Sequence, residues 1–514
     1  MYKICFKNFR KFDLLDNFEI KNINFLVGKN NSGKSTLTKG LILYLENIQS
    51  LALSDCFTGN DKICQPLFKF NSNKIYDYHI GTFGRAKNNK SKEDFIIFGL
   101  HIDNLYVETT VSRRSKNIKN ESGSVKDHYN STEAPISKIV FSEKNFDVRI
   151  TLDFEKQKFK IEYGILSIFD EGTKEKLDIV VNPFSNDDSE IMNVVSVRNK
   201  VLSYPFNIEL PLEYEILSKT YDYLSEGKLY PSLISYFNKV SSDKYNSRPE
   251  EIDYFVNCVD RIQSEFNQSY IKERIIYIPS HAITRSVVYN TSDKNDFMAS
   301  AIAEYLNANI KSTSPEYTFI TKWMNEKNFN IGEDFKIEHF GGESFRLEIF
   351  DNKKTTLVPL LDKGVGSNQL MIMLLQFASI IKQYKNVEKK PIVIIEEPEQ
   401  NLHPQFQSML AKLFLNVVNM TGTQSSIPFI VETHSEYTIR ETQVLIKDFA
   451  EKVNLQNEDE LEENSPFTVY YFDKDNANEP FYKMIYQKNG LFANEFGEGF
   501  IDESTTLLYE VLKP

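Results

Sequence analysis

The sequence predicts an α/β fold with a mixed central sheet, an antiparallel β lobe and a helical insertion. Residues 28–36 lie between a short apolar run, residues 23–27, and apolar residues at helical spacing, which indicates a strand–loop–helix unit. Short alternating runs between residues 95 and 161 are typical of antiparallel strands. Apolar residues then recur every three or four positions between residues 214 and 266, which predicts helices inserted before the chain returns to its core.

Composition bounds the class of protein. The 514 residues are 41% hydrophobic and 13% aromatic, so the chain is globular and long enough for more than one lobe. Its 60 basic and 72 acidic residues give a net charge of -12. That charge argues against a surface that is basic throughout and binds nucleic acid by charge alone, although local basic patches remain open.

Cysteine use and the first residues indicate the compartment. None of the four cysteines forms a C-x-x-C pair, so the sequence suggests neither a disulfide framework nor a zinc knuckle, and a reduced cytoplasm fits. Charged residues interrupt the apolar positions of residues 1–7, and no later run approaches membrane-spanning length. We therefore expect a cytoplasmic protein without a membrane contact.

The strand–loop–helix unit fits the phosphate-binding pattern G-x-x-x-x-G-K-[ST]. Its glycines let backbone N–H groups point at phosphate oxygens, and the helix N-terminus adds a positive dipole end. Lys34 would reach the β- and γ-phosphates of ATP, and the Ser35 hydroxyl would ligate Mg²⁺. A plain tight connection is the alternative, which the complete pattern and its flanks disfavour. The predicted nucleotide-binding residues are Gly28, Lys29, Asn30, Asn31, Ser32, Gly33, Lys34, Ser35 and Thr36.

Two adjacent glutamates follow a second apolar strand. Residues 391–395 read as a buried parallel strand that delivers Glu396 and Glu397 to its carboxyl end, where α/β sheets bind ligands. Glu396 can hold Mg²⁺ or its water shell, and Glu397 can accept a proton from an attacking water. These two carboxylates are our candidates for the metal-side acid and the general base.

Two further polar residues follow the same logic. Residues 427–431 form another strand, after which His434 can reach the γ-phosphate. A lone histidine is more often structural, but the preceding motifs favour the catalytic interpretation. Ser367 is placed as the N-cap of a buried helix over residues 370–381, and a glycine-flanked serine there is an anion-binding arrangement.

Two charged segments have plain and functional interpretations. The basic, Ser- and Asn-rich segment 113–126 is predicted to be a solvated loop, with contact to nucleic acid or an acidic partner as the alternative. The acidic segment 458–463 is likewise predicted to be a solvated loop rather than a metal cluster. Arg10 is either an exposed strand-end cation or a side chain that leans over the nucleotide.

Together these motifs resemble the ABC-type ATPases of the soluble branch that includes the SMC, RecF and OLD families. The matches are the Walker A motif at 28–36, Walker B with the catalytic glutamate at 392–397, a degenerate signature motif at 364–369, the D-loop at 401–403 and the switch histidine at 433–434. Glu396 stands where transporters have aspartate, the usual L-S-G-G-[QE] signature is not present, and no Q-loop glutamine can be read. The resemblance implies an ABC-type ATPase head.

Within that branch the sequence looks most like prokaryotic AAA-family ATPases of antiphage defence operons, such as Septu-, retron- or PARIS-like ATPase subunits. The segments that carry this likeness are 396–399, 402–404 and 432–436, with 469–473, 489–491 and 499–502 similar to a small C-terminal domain of one such group. The resemblance implies a sensor or scaffold subunit that binds and hydrolyses ATP. It would work as a homodimer or higher oligomer, with Ser367 of one chain closing over ATP held by Lys34 of another.

The same resemblance implies partners. A separate effector protein, a nuclease or toxin, would be controlled by the ATPase, and a nucleic acid or phage protein would be the trigger. The residues after His434 are fewer than an ordinary domain needs, so we predict no nuclease activity in this chain. The alternative is a RecF- or SMC-like DNA-binding ATPase in repair or recombination, in which segment 113–126 and the helical insertion touch duplex DNA.

We predict four regions. They are an N-terminal ATPase lobe with the phosphate loop and a β-subdomain (1–190), a helical insertion (191–273), a C-terminal ATPase lobe (274–450) and a small C-terminal subdomain (451–514).

Overall fold

The computed structural model describes most of the chain. The described residues are 2–50, 66–72, 80–116, 125–143, 148–156, 158–163, 166–170, 175–179, 206–211, 265–266, 269–270, 274–280, 286–293, 295–351, 356–387, 389–422, 427–455, 457–473, 480–497, 500 and 509–510. Most of the predicted helical insertion lies outside these residues.

The described secondary structure comprises strands and helices in both halves of the chain. In chain order the strands are β1 (Tyr2–Phe9), β2 (Phe12–Ile20), β3 (Ile23–Gly28), β4 (Leu67–Lys69), β5 (Phe95–Ile102), β6 (Leu105–Ser112), β7 (Arg114–Lys116), β8 (Val125–Asp127), β9 (Glu133–Glu143), β10 (Val148–Asp153), β11 (Lys158–Tyr163), β12 (Leu166–Asp170), β13 (Glu175–Ile179), β14 (Phe206–Pro211), β15 (Ile275–Ile278), β16 (Tyr289–Asn290), β17 (Asp334–Gly341), β18 (Ser344–Asp351), β19 (Thr356–Pro359), β20 (Ile392–Glu396), β21 (Phe429–Glu432), β22 (Phe467–Phe472) and β23 (Phe481–Met484). The helices are α1 (Lys34–Ser50), α2 (Phe83–Ala86), α3 (Phe297–Asn307), α4 (Pro315–Met324), α5 (Val365–Tyr384), α6 (Pro404–Thr421), α7 (Glu436–Val453) and α8 (Glu458–Asn464). Among the described helices, none combines the length and the apolar character needed to cross a membrane.

The chain divides into two compact units, and the division falls within α1. The first unit contains Met1–Glu19 and Gly40–Lys272, and the second contains Ile20–Lys39 and Glu273–Pro514. These units differ from the four regions that we predicted. The phosphate loop belongs with the second unit, and residues 451–514 are part of that unit, because β22 pairs in parallel with β3 inside one sheet.

The first unit is built on a nine-stranded sheet of order β14-β11-β10-β9-β6-β5-β1-β2, with β4 paired to β9. The pairings β1–β5, β5–β6 and β6–β9 are antiparallel, so the antiparallel sheet predicted between residues 95 and 161 is confirmed. Its buried face is aromatic. The rings of Phe6 and Phe9 lie edge-on to Phe98, and Tyr44 of α1 stacks on Phe98 with centroids 5.7 Å apart.

Two segments of the first unit differ from expectation. The segment predicted as a loop contains a short antiparallel pair, because β7 pairs with β8. Arg113 next to it donates to both carboxylate oxygens of Asp127, at 2.9 Å from Nε and 2.7 Å from Nη2. In addition, β14 lies in the range that we assigned to the helical insertion and extends the sheet by pairing with β11.

The second unit is built on a six-stranded sheet of order β15-β20-β21-β3-β22-β23. Neighbouring strands are parallel except for β22 and β23, so the predicted mixed central sheet is confirmed. Every residue of β3, β20, β21 and β22 is buried, as expected for central strands covered on both faces. Phe414 of α6 packs against Phe25 and Phe429, with ring centroids 6.3 and 5.6 Å apart.

A smaller sheet precedes the second half of the site. Helices α3 and α4 lie within residues 297–328 and are joined by a connection over residues 308–314. An antiparallel hairpin of β17 and β18 follows, and both β16 and β19 pair with β18.

Two predictions about helices were wrong. Helix α5 begins at Val365 with Gly364 as its N-cap, so Ser367 is not the cap but lies in the first turn, where its N–H donates to Gly364 O at 3.0 Å. The acidic segment 458–463 is helix α8 rather than a loop. Its cap is Asn457, whose side chain accepts from the Glu460 N–H, and the acidic residues of the first turn complement the helix dipole.

Candidate functional site

The phosphate loop joins β3 to α1 and depends on positive backbone φ angles. Gly28 and Gly33 have φ of +134° and +122°, and Asn31 has φ of +63°, in the left-handed region that favours glycine and asparagine. A Cβ atom at Gly28 would lie 2.4 Å from the carbonyl oxygen of Phe472. The tight turn and the close approach of β22 therefore both require glycine at position 28.

Lys34 is buried within this loop. Only 3% of the residue is exposed, and Nζ donates to Gly28 O at 2.8 Å and to Lys29 O at 3.0 Å. Burial lowers the pKa of Lys34, while three nearby carboxylates oppose the shift, those of Glu432, Glu397 and Glu399. The ammonium group is thus held over the loop, surrounded by acids.

The ends of β20 and β21 place two carboxylates side by side, because Glu396 is the register partner of Glu432. Glu432 accepts a hydrogen bond of 2.8 Å from Ser35 Oγ at its Oε1. Burial, and then the charge of Glu396, raise the pKa of Glu432 to about 7. Sequence reasoning missed this residue, although the strand-end argument that selected Glu396 applies equally to Glu432.

Glu397 follows β20 in a strained turn. Its φ is +45°, and its N–H donates to Glu432 O at 2.8 Å. Gln400 Nε2 donates to Glu397 Oε2. Gln369 of α5 donates to the carbonyl oxygens of Glu397 and Pro398, at 3.3 Å each. Backbone and side chain of Glu397 are therefore both fixed by neighbours that the sequence did not single out.

His434 faces this glutamate. Its Nε2 lies 3.9 Å from Glu397 Oε1, and its backbone N–H donates to Glu399 Oε1 at 2.6 Å. Burial and the charge of Lys34 lower the pKa of His434, against the opposing effect of Glu397. The imidazole is therefore neutral at pH 7. Glu399, which the sequence did not single out either, is buried, and burial raises its pKa.

The donor groups suit a hard divalent cation. Glu397, Glu432 and His434 each bring a ligand atom within 4.8 Å of the others. Ser35, bonded to Glu432, adds a hydroxyl oxygen, and Glu396 adds a carboxylate beside it. Mg²⁺ prefers oxygen donors, so the carboxylates of Glu396 and Glu432 and the hydroxyl of Ser35 fit the predicted cation, whereas the imidazole of His434 is a nitrogen donor that Mg²⁺ does not favour.

Ser367 lies in the first turn of α5, two residues before Gln369. In the described part of the chain no hydrogen bond joins it to the phosphate loop. Its neighbour Gly366 packs against the predicted D-loop of the same chain, since a Cβ at Gly366 would lie 2.6 Å from Asn401 O and 2.8 Å from Leu402 Cδ2. The signature-like turn and the D-loop are thus in contact.

A family comparison decides the class of this site. A family model described as an AAA ATPase domain matches residues 1–439. The chain belongs to this AAA ATPase family. Nucleotide binding, typically with Mg²⁺, is what membership in an AAA ATPase family implies, and an ATPase site agrees with the geometry described above. A comparison with curated proteins gives no match.

Among solved structures, the AAA ATPase chain is similar to two SMC heads. One is an SMC head bound to the C-terminal winged-helix domain of ScpA, at 10% identity and a TM-score of 0.31, covering 95% of this chain and 98% of that one. The other is the SMC head domain from Thermotoga maritima, at 10% identity and a TM-score of 0.30, covering 85% and 90%.

Proposed function

We propose that this chain binds ATP with Mg²⁺ and hydrolyses it with Glu397 as the general base. The observation that carries the proposal is the strained turn of Glu397, whose carboxylate lies between Gln400 and His434 at the end of a central parallel strand. Its exposed fraction of 31% leaves it accessible to water. An oriented carboxylate there can accept the proton of an attacking water.

The other residues bind and orient the nucleotide. Lys34 and the N–H groups of the phosphate loop hold the phosphate oxygens, and Ser35 and Glu396 hold the cation. Bound Mg²⁺ supplies the positive charge that neutralises these oxygens. His434, whose Nε2 lies 3.9 Å from Glu397, can donate a hydrogen bond from its ring N–H to a γ-phosphate oxygen.

Two variants test the assignment. Glu397→Gln should retain ATP binding and lower turnover by about 10²- to 10⁴-fold, because the amide cannot accept the proton. Lys34→Ala should lose binding itself. Glu441→Gln is the matched control, since Glu441 is a largely buried carboxylate of α7 that pairs with Lys412 at 2.6 Å. Hydrolysis near the wild-type rate in Glu397→Gln would refute the general-base role.

We further propose that two subunits share each ATP site, with Ser367 of one closing over ATP held by Lys34 of the other. The resemblance to ABC-type ATPases and the partly exposed position of Ser367 in the first turn of α5 support this. In mixed assemblies, Ser367→Arg should inactivate the wild-type subunit paired with it, whereas Ser292→Arg, at an exposed position of the same unit, should not. If the ATPase activity of the mixed assemblies is the average of the activities of the wild-type and variant proteins, shared sites are ruled out.

Finally, we propose that the ATPase acts in antiphage defence and controls a separate effector protein, without cutting nucleic acid itself. The motif resemblance supports this role. In the part of the chain that the structure describes, the one group of residues suited to hold a metal ion belongs to the ATP site. Incubation with plasmid, single-stranded DNA and transfer RNA, with ATP and Mg²⁺ or Mn²⁺, should give no cleavage. Cleavage that survives repurification and disappears in Asp473→Ala, which removes the carboxylate directly after β22, would contradict the proposal.

The alternative, a RecF- or SMC-like DNA-binding ATPase, gains no support from Arg113. Its guanidinium is already engaged by Asp127 at 2.7 Å and by Asp94 at 3.4 Å, so its charge is not free for a phosphate. A salt-dependent mobility shift with plain duplex DNA would nevertheless favour this alternative.

A further inference from the structure

The ATP site has a carboxylate on its cation side that neither the motifs nor the proposed roles require. Glu432 ends β21 beside Glu396, and its side chain is nearly inaccessible, with the residue 4% exposed. Its Oε1 accepts the hydrogen bond of Ser35 Oγ, the hydroxyl assigned to the cation. Glu432 therefore touches the cation subsite directly.

The second oxygen of this carboxylate has an unused bonding capacity. Glu432 Oε2 is buried and has no hydrogen-bond partner among the described residues. A buried carboxylate oxygen without a partner is costly, so a charged or donor group is expected to complete it. The ammonium of Lys34 makes no hydrogen bond to this oxygen; its two described hydrogen bonds go to the carbonyl oxygens of Gly28 and Lys29.

We propose that Glu432 is a second carboxylate of the Mg²⁺ subsite. It orients the Ser35 hydroxyl and, together with Glu396, supplies the negative charge that binds the cation or its water shell. The proposal rests on the proposed ATPase function and adds that the cation requirement of this protein is set by two adjacent glutamates. A purely structural role would need only an acceptor for Ser35, whereas the proposed role needs the charge.

Glu432→Gln in the full chain separates these roles, because the amide oxygen still accepts from Ser35 and the volume is unchanged. The measurement is binding of a fluorescent ATP analogue, first in EDTA and then as a function of Mg²⁺. We expect the affinity for the analogue in EDTA to stay within about threefold of wild type. The Mg²⁺ concentration that gives half of its maximal effect on analogue binding should rise about 10- to 100-fold. Direct Mn²⁺ binding, followed by electron paramagnetic resonance in the presence of the analogue, should weaken equally.

Controls distinguish the possible failures. Glu441→Gln should keep the wild-type Mg²⁺ requirement. An unchanged requirement in Glu432→Gln would overturn the cation role, while the ATPase proposal would stand. Wild-type protein that fails to bind the analogue at all would instead sink the proposed function.

If Glu432→Gln does not fold, as judged by circular dichroism, Glu432→Asp replaces it. Aspartate keeps the negative charge but is one methylene shorter, so its carboxylate lies further from the cation. Its Mn²⁺ affinity should therefore be weaker than that of wild type with the analogue, but stronger than the affinity measured without the analogue. Unchanged Mn²⁺ affinity in a folded Glu432→Asp would overturn the proposal.

Discussion

Glu399 Oε1 accepts a hydrogen bond of 2.6 Å from the backbone N–H of His434, although 35 positions separate the two residues. The bond ties the turn after β20 to the turn after β21. It therefore sets where the imidazole of His434 lies relative to Glu397, which is 3.9 Å away. The carboxylate that makes this bond is buried, so it cannot be replaced by water without rearrangement.

Removing that acceptor should affect turnover more than binding. Glu399→Ala leaves the His434 N–H without its partner, and hydrogen bonds to charged groups contribute about 1.5–3 kcal/mol. We expect kcat to fall about 10- to 100-fold with little change in ATP affinity. Glu399→Gln retains an acceptor oxygen and should recover most of the loss. Equal losses in both variants would show that the charge, not the hydrogen bond, matters.

Gln400 restrains the carboxylate of Glu397 by donating to its Oε2. In Gln400→Ala the carboxylate is freer to rotate, so it should be correctly oriented less often, and kcat should fall about three- to tenfold. KM should stay unchanged, because Gln400 is not part of the phosphate loop. Steady-state kinetics measures both constants, with Gln405→Ala at an exposed position of α6 as control. If kcat/KM fell only because KM rose, with kcat unchanged, this positioning role would be excluded.

Gly28→Ala tests the close approach of the phosphate loop to β22. The new methyl group would lie 2.4 Å from Phe472 O at a φ of +134°, so both contact and conformation are unfavourable. We expect a melting temperature several degrees lower, together with loss of ATP binding. Gly341→Ala is the matched control, since Gly341 has a similar φ of +131° but nothing lies within 4 Å of its added Cβ, so this variant should keep ATP binding. A Gly28→Ala protein that melts and binds ATP like wild type would contradict this description of the loop.

Stability should depend on pH through Glu304, a half-buried residue of α3. Burial raises the pKa of Glu304 in the folded protein above 4.5, the ordinary value that applies to the unfolded chain. At a pH between the unfolded-state and folded-state values, the folded protein therefore binds more protons at this site than the unfolded chain. The contribution of Glu304 to stability therefore falls as pH rises above 4.5. Glu304→Gln should raise the melting temperature at pH 7.5, and the gain should shrink toward pH 4. The same substitution at exposed Glu326, which is not buried in this way, should change the melting temperature less. A gain at Glu304 that does not vary with pH would refute the explanation.

The parts of the site that the sequence predicted are those with local patterns. The phosphate loop carries its own glycines and its own flanking strand and helix, and the strand before Glu396 is a continuous apolar run. Glu432 also follows an apolar strand, but its contact with Ser35 could not be predicted, since Ser35 is 397 positions away and only the order of strands in the sheet brings the two together. Gln400 and Gln369 were missed because an amide that restrains a turn has no sequence signature.

The wrong predictions also have local causes. Ser367 was taken as an N-cap because serine is a favoured cap, but α5 begins earlier, at a glycine without a capping side chain. The sequence did contain a typical helix start for α8, because Asn457 is followed by three acidic residues. We predicted a loop because a run of charged residues is usually solvated. The pairing of β7 with β8 was hidden because both strands are polar.

The position of β22 has a consequence for the order of events during synthesis. The nucleotide strand β3 leaves the ribosome early, yet its neighbour in the sheet, which also supplies the carbonyl oxygen against Gly28, is made more than four hundred residues later. Until β22 has been made, one edge of β3 is without its partner strand, so nothing packs against the phosphate loop on that side. A nascent chain of this protein should therefore acquire ATP binding only after residue 472 has emerged, and ribosome-bound chains stalled before and after β22 should differ sharply in their capture on immobilised nucleotide.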